Sequence, residues 1–135
     1  LDISQLVNSE DLFELRLQHP VTEEPLGIIF MIRSAESNEV KKTIRQHGDR
    51  LLASRKKRLT ASRVEAEYID KAAAAIASWD WGSQQWKGGR PELTFDTARE
   101  VVEEAGWIYD QIAVASEDRA NFMRSSPAVS WKPLG

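Results

Sequence analysis

Trp79-Asp80-Trp81-Gly82 opens the stretch that decides the fold, and the stretch closes at Phe122. Between them lie a polar, Gly-rich loop with Trp86, Gly88 and Gly89, a re-entry at Leu93-Thr94-Phe95-Asp96-Thr97, and a helical run carrying Trp107, Ile108, Gln111 and Ile112. Four of the five tryptophans fall here. The segment is rich in aromatic anchors and holds no recognisable catalytic set, so it reads as a packing and association device. Thr94 or Asp96 is placed to cap the helix that follows, with Glu100 and Glu103 in its early turns. Val101, Ala105, Ile108, Ile112, Ala115 and Phe122 share one stripe at helical spacing, with Arg119 as its polar exception. Gly106 interrupts this helix. It marks either a kink or the close approach of another helix against Trp107.

Upstream of Trp79 the chain reads as helix back to about residue 35. Ser34 or Ser37 can cap its start, and Glu36 and Glu39 favour the positive helix end. Val40, Ile44, Gly48, Leu51, Leu52 and Leu59 form one apolar face. Ala61, Val64, Tyr68, Ala72, Ala75, Ile76 and Trp79 form a second. One helix from 36 to 79 would be about 66 Å long, against a radius of gyration of about 14 Å for a chain of this size. A break is therefore expected near Lys57 to Ser62, with Thr60 or Ser62 capping the second helix. Trp79 and Trp81 are expected at the helix end, pointing to different sides.

Further upstream, Phe13, Leu15 and Leu17 alternate with polar residues, the period of a half-buried strand. Pro20 ends that run. Ile28, Ile29, Phe30, Met31 and Ile32 form a short apolar run of β type. Residues 11–18 and 27–33 are read as an antiparallel hairpin, which needs helices or a strand of another copy to be stable. The resulting expectation is an α+β fold, mainly α-helical: an N-terminal β-hairpin followed by about four helices. One domain spans 1–124, and 125–135, with two prolines and no period, is read as a loose C-terminal tail.

Composition narrows the function classes. The 135 residues carry a net charge of −3, 41% hydrophobic and 29% charged residues, and no cysteine. Disulfide and thiolate chemistry are excluded, and bulk attraction to nucleic acid is not expected. No apolar run approaches the roughly 20 residues of a membrane span. Leu1-Asp2-Ile3 shows neither a basic nor an apolar leader region, so no signal peptide is expected in this stretch. Between Lys41 and Arg63 lie nine of the 18 basic residues, against one acid, Asp49. The rest of the chain is strongly acidic.

The sites that could carry chemistry read as structural. His19 and His47 have no partner at metal-ligand spacing. There is no nucleophile elbow, P-loop or dinucleotide fingerprint. Lys87-Gly88-Gly89-Arg90 follows a helix and loop rather than a strand, and reads as a flexible surface loop. Glu103-Glu104 and Glu65/Glu67 read as solvated helix faces. No cofactor and no metal are expected, nor an enzymatic role. Arg55-Lys56-Lys57-Arg58 is the sharpest charge run. It reads as a solvated helix end, as a phosphate contact, or as a basic face for the acidic face of another copy. The candidates for self-association or partner contact are Phe13, Leu15, Ile28, Phe30, Lys56, Lys57, Arg58, Trp79, Trp81, Trp86, Trp107 and Phe122. Tryptophan's enrichment at interface hot spots recommends Trp86 and also Trp131.

From Trp79 to Phe122 the layout resembles the tail assembly chaperones of long-tailed, siphovirus-type bacteriophages. A short β-rich start and a basic helical middle lead to a Trp79-x-Trp81 end. Then come a Gly-rich loop with Gly88, a helix start at Phe95, the Trp107-Ile108-x-x-Gln111-Ile112 helix, and an Arg119-x-Asn121-Phe122 close. About two thirds of the chain takes part, through aromatic spacing rather than ligand spacing. The resemblance implies a non-enzymatic viral assembly factor that self-associates as a ring or spiral and coats the tape-measure protein before tail-tube polymerisation. It implies a longer, frameshifted form that recruits tail-tube protein, residence in the host cytoplasm, and absence from the mature virion. It implies no membrane and no nucleic-acid partner. The alternatives are a nucleic-acid-binding helical module and a minor structural protein of the virion.

Overall fold

Leu12–Gln18 (β1) and Pro25–Arg33 (β2) form the expected hairpin, in a computed structural model that describes residues 2–53 and 61–123. The strands are antiparallel, with Phe13 opposite Ile32, Leu15 opposite Phe30, and a register shift between Arg16 and Gln18. The turn is held by His19, whose Nδ1 accepts the N–H groups of Val21 (3.0 Å) and Thr22 (3.2 Å). Alternation does what its period requires: Leu17, Ile28, Phe30 and Ile32 are buried, while Glu14 and Arg16 face outward and pair with each other at 2.7 Å.

The sheet has a third strand that the sequence analysis placed in a helix. Helix α2 (Ala61–Ala75) passes directly into β3 (Ile76–Asp80), which lies antiparallel to β2, giving the order β1-β2-β3. Phe30 faces Trp79 and Ile29 faces Asp80. The positions 72, 75, 76 and 79 satisfy a helical stripe, but Ser78-Trp79-Asp80-Trp81 also alternates. The open edge of β2 decides in favour of a strand, since unpaired backbone N–H and C=O groups beside a core are costly. The fold is therefore α+β with a three-stranded sheet, rather than mainly helical. A second consequence corrects the tryptophans. Two residues apart on a strand, Trp79 and Trp81 lie on one face, with ring centroids 5.6 Å apart.

Helix α1 (Asn38–Ala53) packs against α2, so the two are separate helices rather than one rod. Lys56, Lys57, Arg58 and Thr60 lie outside the described residues, and Ser62, expected as a cap, is already inside α2. Ser37 serves α1 as its N-terminal cap, accepting the Val40 N–H at 3.4 Å, while Ser34 accepts the Glu36 N–H in the preceding turn. The apolar stripe assigned to α2 is displaced. Val64 and Tyr68 are 39% and 53% exposed, and Ala72 to Ala75 are all buried. Four consecutive alanines can be enclosed because α2 is the hub of the molecule, touching α1, α3, α4, β2 and β3.

The last helical run is broken into α3 (Phe95–Glu104), α4 (Gly106–Glu117) and a 3₁₀ turn (Arg119–Phe122). Thr94 caps α3 with a reciprocal box to Thr97. Ala105 has φ −110° and ψ 84°, so the interruption expected at Gly106 falls one residue earlier. A Cβ on Gly106 would meet nothing within 4 Å among the described residues, so no other described helix approaches closely there. The stripe Val101, Ala105, Ile108, Ile112, Ala115 and Phe122 is buried throughout. It survives both breaks because each segment packs on the same apolar layer.

A tryptophan-lined cleft as the candidate functional site

The inner face of β2 and β3 carries a connected series of rings. Phe30 packs on Trp79 at 5.4 Å and on Trp81 at 5.8 Å between centroids. Trp81 packs in turn on Trp86 at 6.1 Å. The tilted and edge-to-face arrangements are those the ring quadrupoles favour. Trp79 is anchored from the far side, its indole N–H donating to the Pro91 carbonyl at 3.1 Å.

Trp86 is placed by the Gly-rich loop, which is a specified turn rather than a flexible one. The backbones of Trp86 and Gly89 exchange hydrogen bonds of 2.7 and 3.1 Å. Lys87 and Gly88 between them have φ +52° and +85°, positive at both central positions as a type I′ turn requires. The turn is clasped to α3. The Trp86 indole N–H donates to Glu100 Oε2 at 3.0 Å, and Lys87 Nζ reaches Glu104 at 2.7 Å and Glu100 at 3.5 Å. The hydrogen bond from Trp86, reinforced by the Lys87 charge, holds the Glu100 carboxyl below its ordinary pKa. The Glu104 contact raises the Lys87 ammonium.

A cleft of about 440 Å³ opens beside this series. Leu26, Ile28, Trp81, Trp86, Trp107 and Ile108 give it apolar walls, and His19, Pro20, Gln84 and Gln85 complete the lining. No acid, lysine or arginine is among these residues. Gln84 is engaged, its amide donating to the Leu26 carbonyl at 3.2 Å. Because His19 Nδ1 accepts two backbone N–H groups, a neutral His19 carries its proton on Nε2. Trp81 is 5% exposed, and its indole nitrogen is buried without a hydrogen-bond partner among the described residues. Buried polar groups are nearly always paired, which sets Trp81 apart.

The sequence candidates divide by position. Ile28, Trp81, Trp86 and Trp107 come together in the cleft. Phe13 and Phe122 form a separate edge-to-face pair, 6.3 Å apart. Phe30 and Phe122 are enclosed in the chain's own core, at 0% and 1% exposure, so they present no surface. Leu15 and Trp79 are half-buried against the same core. Lining residues His19, Pro20, Gln84 and Gln85 were missed. They sit in turns, where sequence period carries no signal, and Gln84-Gln85 beside Trp86 was the one available hint.

A larger depression of about 760 Å³ lies among α1, α2 and the start of α3. Its basic groups are committed to the fold: Arg99 pairs with Asp70 at 2.6 Å, and Arg33 donates to the Ala74 and Ile76 carbonyls. Among the described residues no group of histidines and acidic residues could hold a metal ion, and no helix is long and apolar enough to cross a membrane. Comparison with protein-family models, with curated proteins and with solved structures finds no match to this chain.

Proposed function

We propose that this chain is a tail assembly chaperone of a long-tailed bacteriophage, a non-enzymatic factor that self-associates and covers the tape-measure protein before the tail tube polymerises. The observation that carries this reading is the sequence pattern from Trp79 to Phe122, together with the use the fold makes of it. Trp79, Trp81 and Trp86 line up as one aromatic series, and Trp107 completes an open apolar cleft. The other members of the pattern secure that scaffold. Gln111 hydrogen-bonds both the N–H and the C=O of Gln18. Arg119 forms a two-pronged ion pair with Glu36, and Asn121 donates to the Ala115 carbonyl. A solvent-open aromatic cleft lined by no acid, lysine or arginine suits an apolar partner that would otherwise aggregate.

Self-association has two routes in this reading. The free edge of β1 is blocked at Gln18 by the Gln111 amide, so strand addition there must displace it. Charge offers the better route. Lys41, Lys42 and Arg45 are exposed on α1, and Glu103, Glu104 and Asp110 are exposed on α3 and α4. Opposite signs on separate helices favour contact between copies, and such contact made head to tail yields rings or spirals. A longer form recruiting tail-tube protein, action in the host cytoplasm and absence from the finished virion belong to the same proposal.

The deciding experiment is co-expression of this chain with a tagged tape-measure fragment of its phage. Co-purification, with rescue of the fragment's solubility, is the expected result. A fragment that stays insoluble, and recovers nothing on refolding with this chain, overturns the reading.

A further inference from the structure

β2 is the middle strand of the sheet, and its run Ile28-Ile29-Phe30-Met31-Ile32 is apolar on both faces. A strand with one solvent face alternates apolar and polar residues, whereas a continuous apolar run belongs to a strand covered on both sides. Among the described residues only one side is covered. Ile28, Phe30 and Ile32 are enclosed in the core shared with α2 and α4. Ile29 and Met31 point the other way, are half-buried, and take no part in that core.

Their neighbours on this outer face are polar. The register sets Arg16 of β1 and Asp80 of β3 on either side of Ile29, and Glu14 and Ser78 on either side of Met31. Residues directly opposite in a ladder share a face. The face therefore has an apolar centre and a polar rim, the anatomy of a protein contact surface. Leu12, 47% exposed, extends the apolar area at one end.

Charge decides the occupant. The row of Arg16, Ile29 and Asp80 is positive at one edge and negative at the other, each edge about 4.8 Å from the centre. The Arg16 side chain is 73% exposed, and Asp80 is exposed with its Oδ1 held by the Gly82 N–H at 2.9 Å. A second copy laid face to face, and related by a two-fold axis along β2, sets Arg16 against Asp80 twice. It also sets Ile29 against Ile29 and Met31 against Met31. The patch is its own complement, as an isologous two-fold contact requires. Facing sheets lie about 10 Å apart and cross at about 30°, a gap that opposed arginine and aspartate side chains bridge. Within one copy Arg16 pairs with Glu14 at 2.7 Å, an exposed contact that contributes little and is readily shared.

We propose that the outer face of the sheet, centred on Ile29 and Met31, is a two-fold contact with a second copy of this chain, Arg16 and Asp80 pairing across it. The inference rests on the self-association in the reading above and adds the surface that makes it. Three strands, of which β3 has only five residues, cover less than the roughly 800 Å² per partner of a standard interface. The contact is accordingly weak, micromolar or weaker.

The test is sedimentation equilibrium of the full chain, from micromolar to millimolar concentration at low salt. The expected result is a monomer–dimer equilibrium. Met31→Lys places two like charges on the axis, and Arg16→Asp sets acid against acid twice. Each should weaken dimerisation about tenfold or more. Neither residue belongs to the core, and circular dichroism with an unfolding midpoint checks that each variant is folded. Arg16→Asp combined with Asp80→Arg restores opposite signs in every pair and should recover the dimer. A parent chain that stays monomeric throughout, a dimer that Met31→Lys and Arg16→Asp leave as tight as before, or a folded double variant that fails to recover it overturns the inference. Tape-measure co-purification reports separately on the assembly role. If it succeeds while Met31→Lys associates like the parent chain, the reading stands and only the surface is wrong.

Discussion

Single residues hold the cleft at its two ends. Gly82 has φ +59°, and a Cβ there would meet the Gly27 carbonyl oxygen at 2.5 Å, itself in a residue at φ +79°. The two backbones cross where only hydrogen atoms fit. Gly82→Ala is expected to lower stability by more than about 1–2 kcal/mol, the cost of the left-handed conformation alone, as read by urea unfolding. Gly106→Ala is the opposite case, a helical glycine with open space around its Cβ. It should raise stability by about 0.4–1 kcal/mol through the unfolded chain. Glu100 adds a pH dependence. Its pKa is lowered in the folded chain, first by the Trp86 hydrogen bond and then by Lys87. Its contribution is complete above the ordinary glutamate range and is lost as pH falls through the lower folded value, below about pH 4. Tryptophan emission should change in that acid window, and Glu100→Gln should remove the step.

At the scale of elements, legibility follows locality. The hairpin, the Thr94 cap and the stripe from Val101 to Phe122 depend on neighbours in sequence, and their periods are unambiguous. Ile76–Asp80 fits both periods, and the choice belongs to β2, more than forty residues away, whose edge needs a partner. The outward turn of Val64 and Tyr68 has the same origin, since the alanines from 72 to 75 leave α2 free to be enclosed elsewhere. Of the site, the tryptophans were visible as anchors, but their convergence was not, because it depends on the strand that was missed. The edge of β1 yields its own prediction. Gln111 imitates a neighbouring strand at Gln18, with bonds of 3.0 and 2.9 Å. Gln111→Ala should cost about 0.5–1.5 kcal/mol for each net hydrogen bond lost. It should also promote concentration-dependent association, because an uncapped edge recruits other strands. Light scattering across a dilution series checks it.

At the scale of the molecule, the uneven charge is the property that no single contact explains. Nine basic residues lie between Lys41 and Arg63 in a chain of net charge −3. If copies meet basic face to acidic face, the assembly should grow with concentration and come apart as salt rises past the point where the Debye length is about 8 Å. Size-exclusion chromatography with light scattering, at low and high salt, measures both. A strict monomer at millimolar concentration removes the ring or spiral from the proposal.

The junction of α2 with β3 has a mechanical side. Ala75 ends the helix and Ile76 begins the strand, and Arg33 grips the carbonyls of Ala74 and Ile76 across the seam. With no intervening loop there is no slack. Sliding β3 by one residue would turn Trp79 and Trp81 to the other face of the sheet. That slide is about 3.3 Å along the strand, and without a loop it must be transmitted to α2. The position of the indoles is therefore tied to that of a helix that packs on α1, α3 and α4.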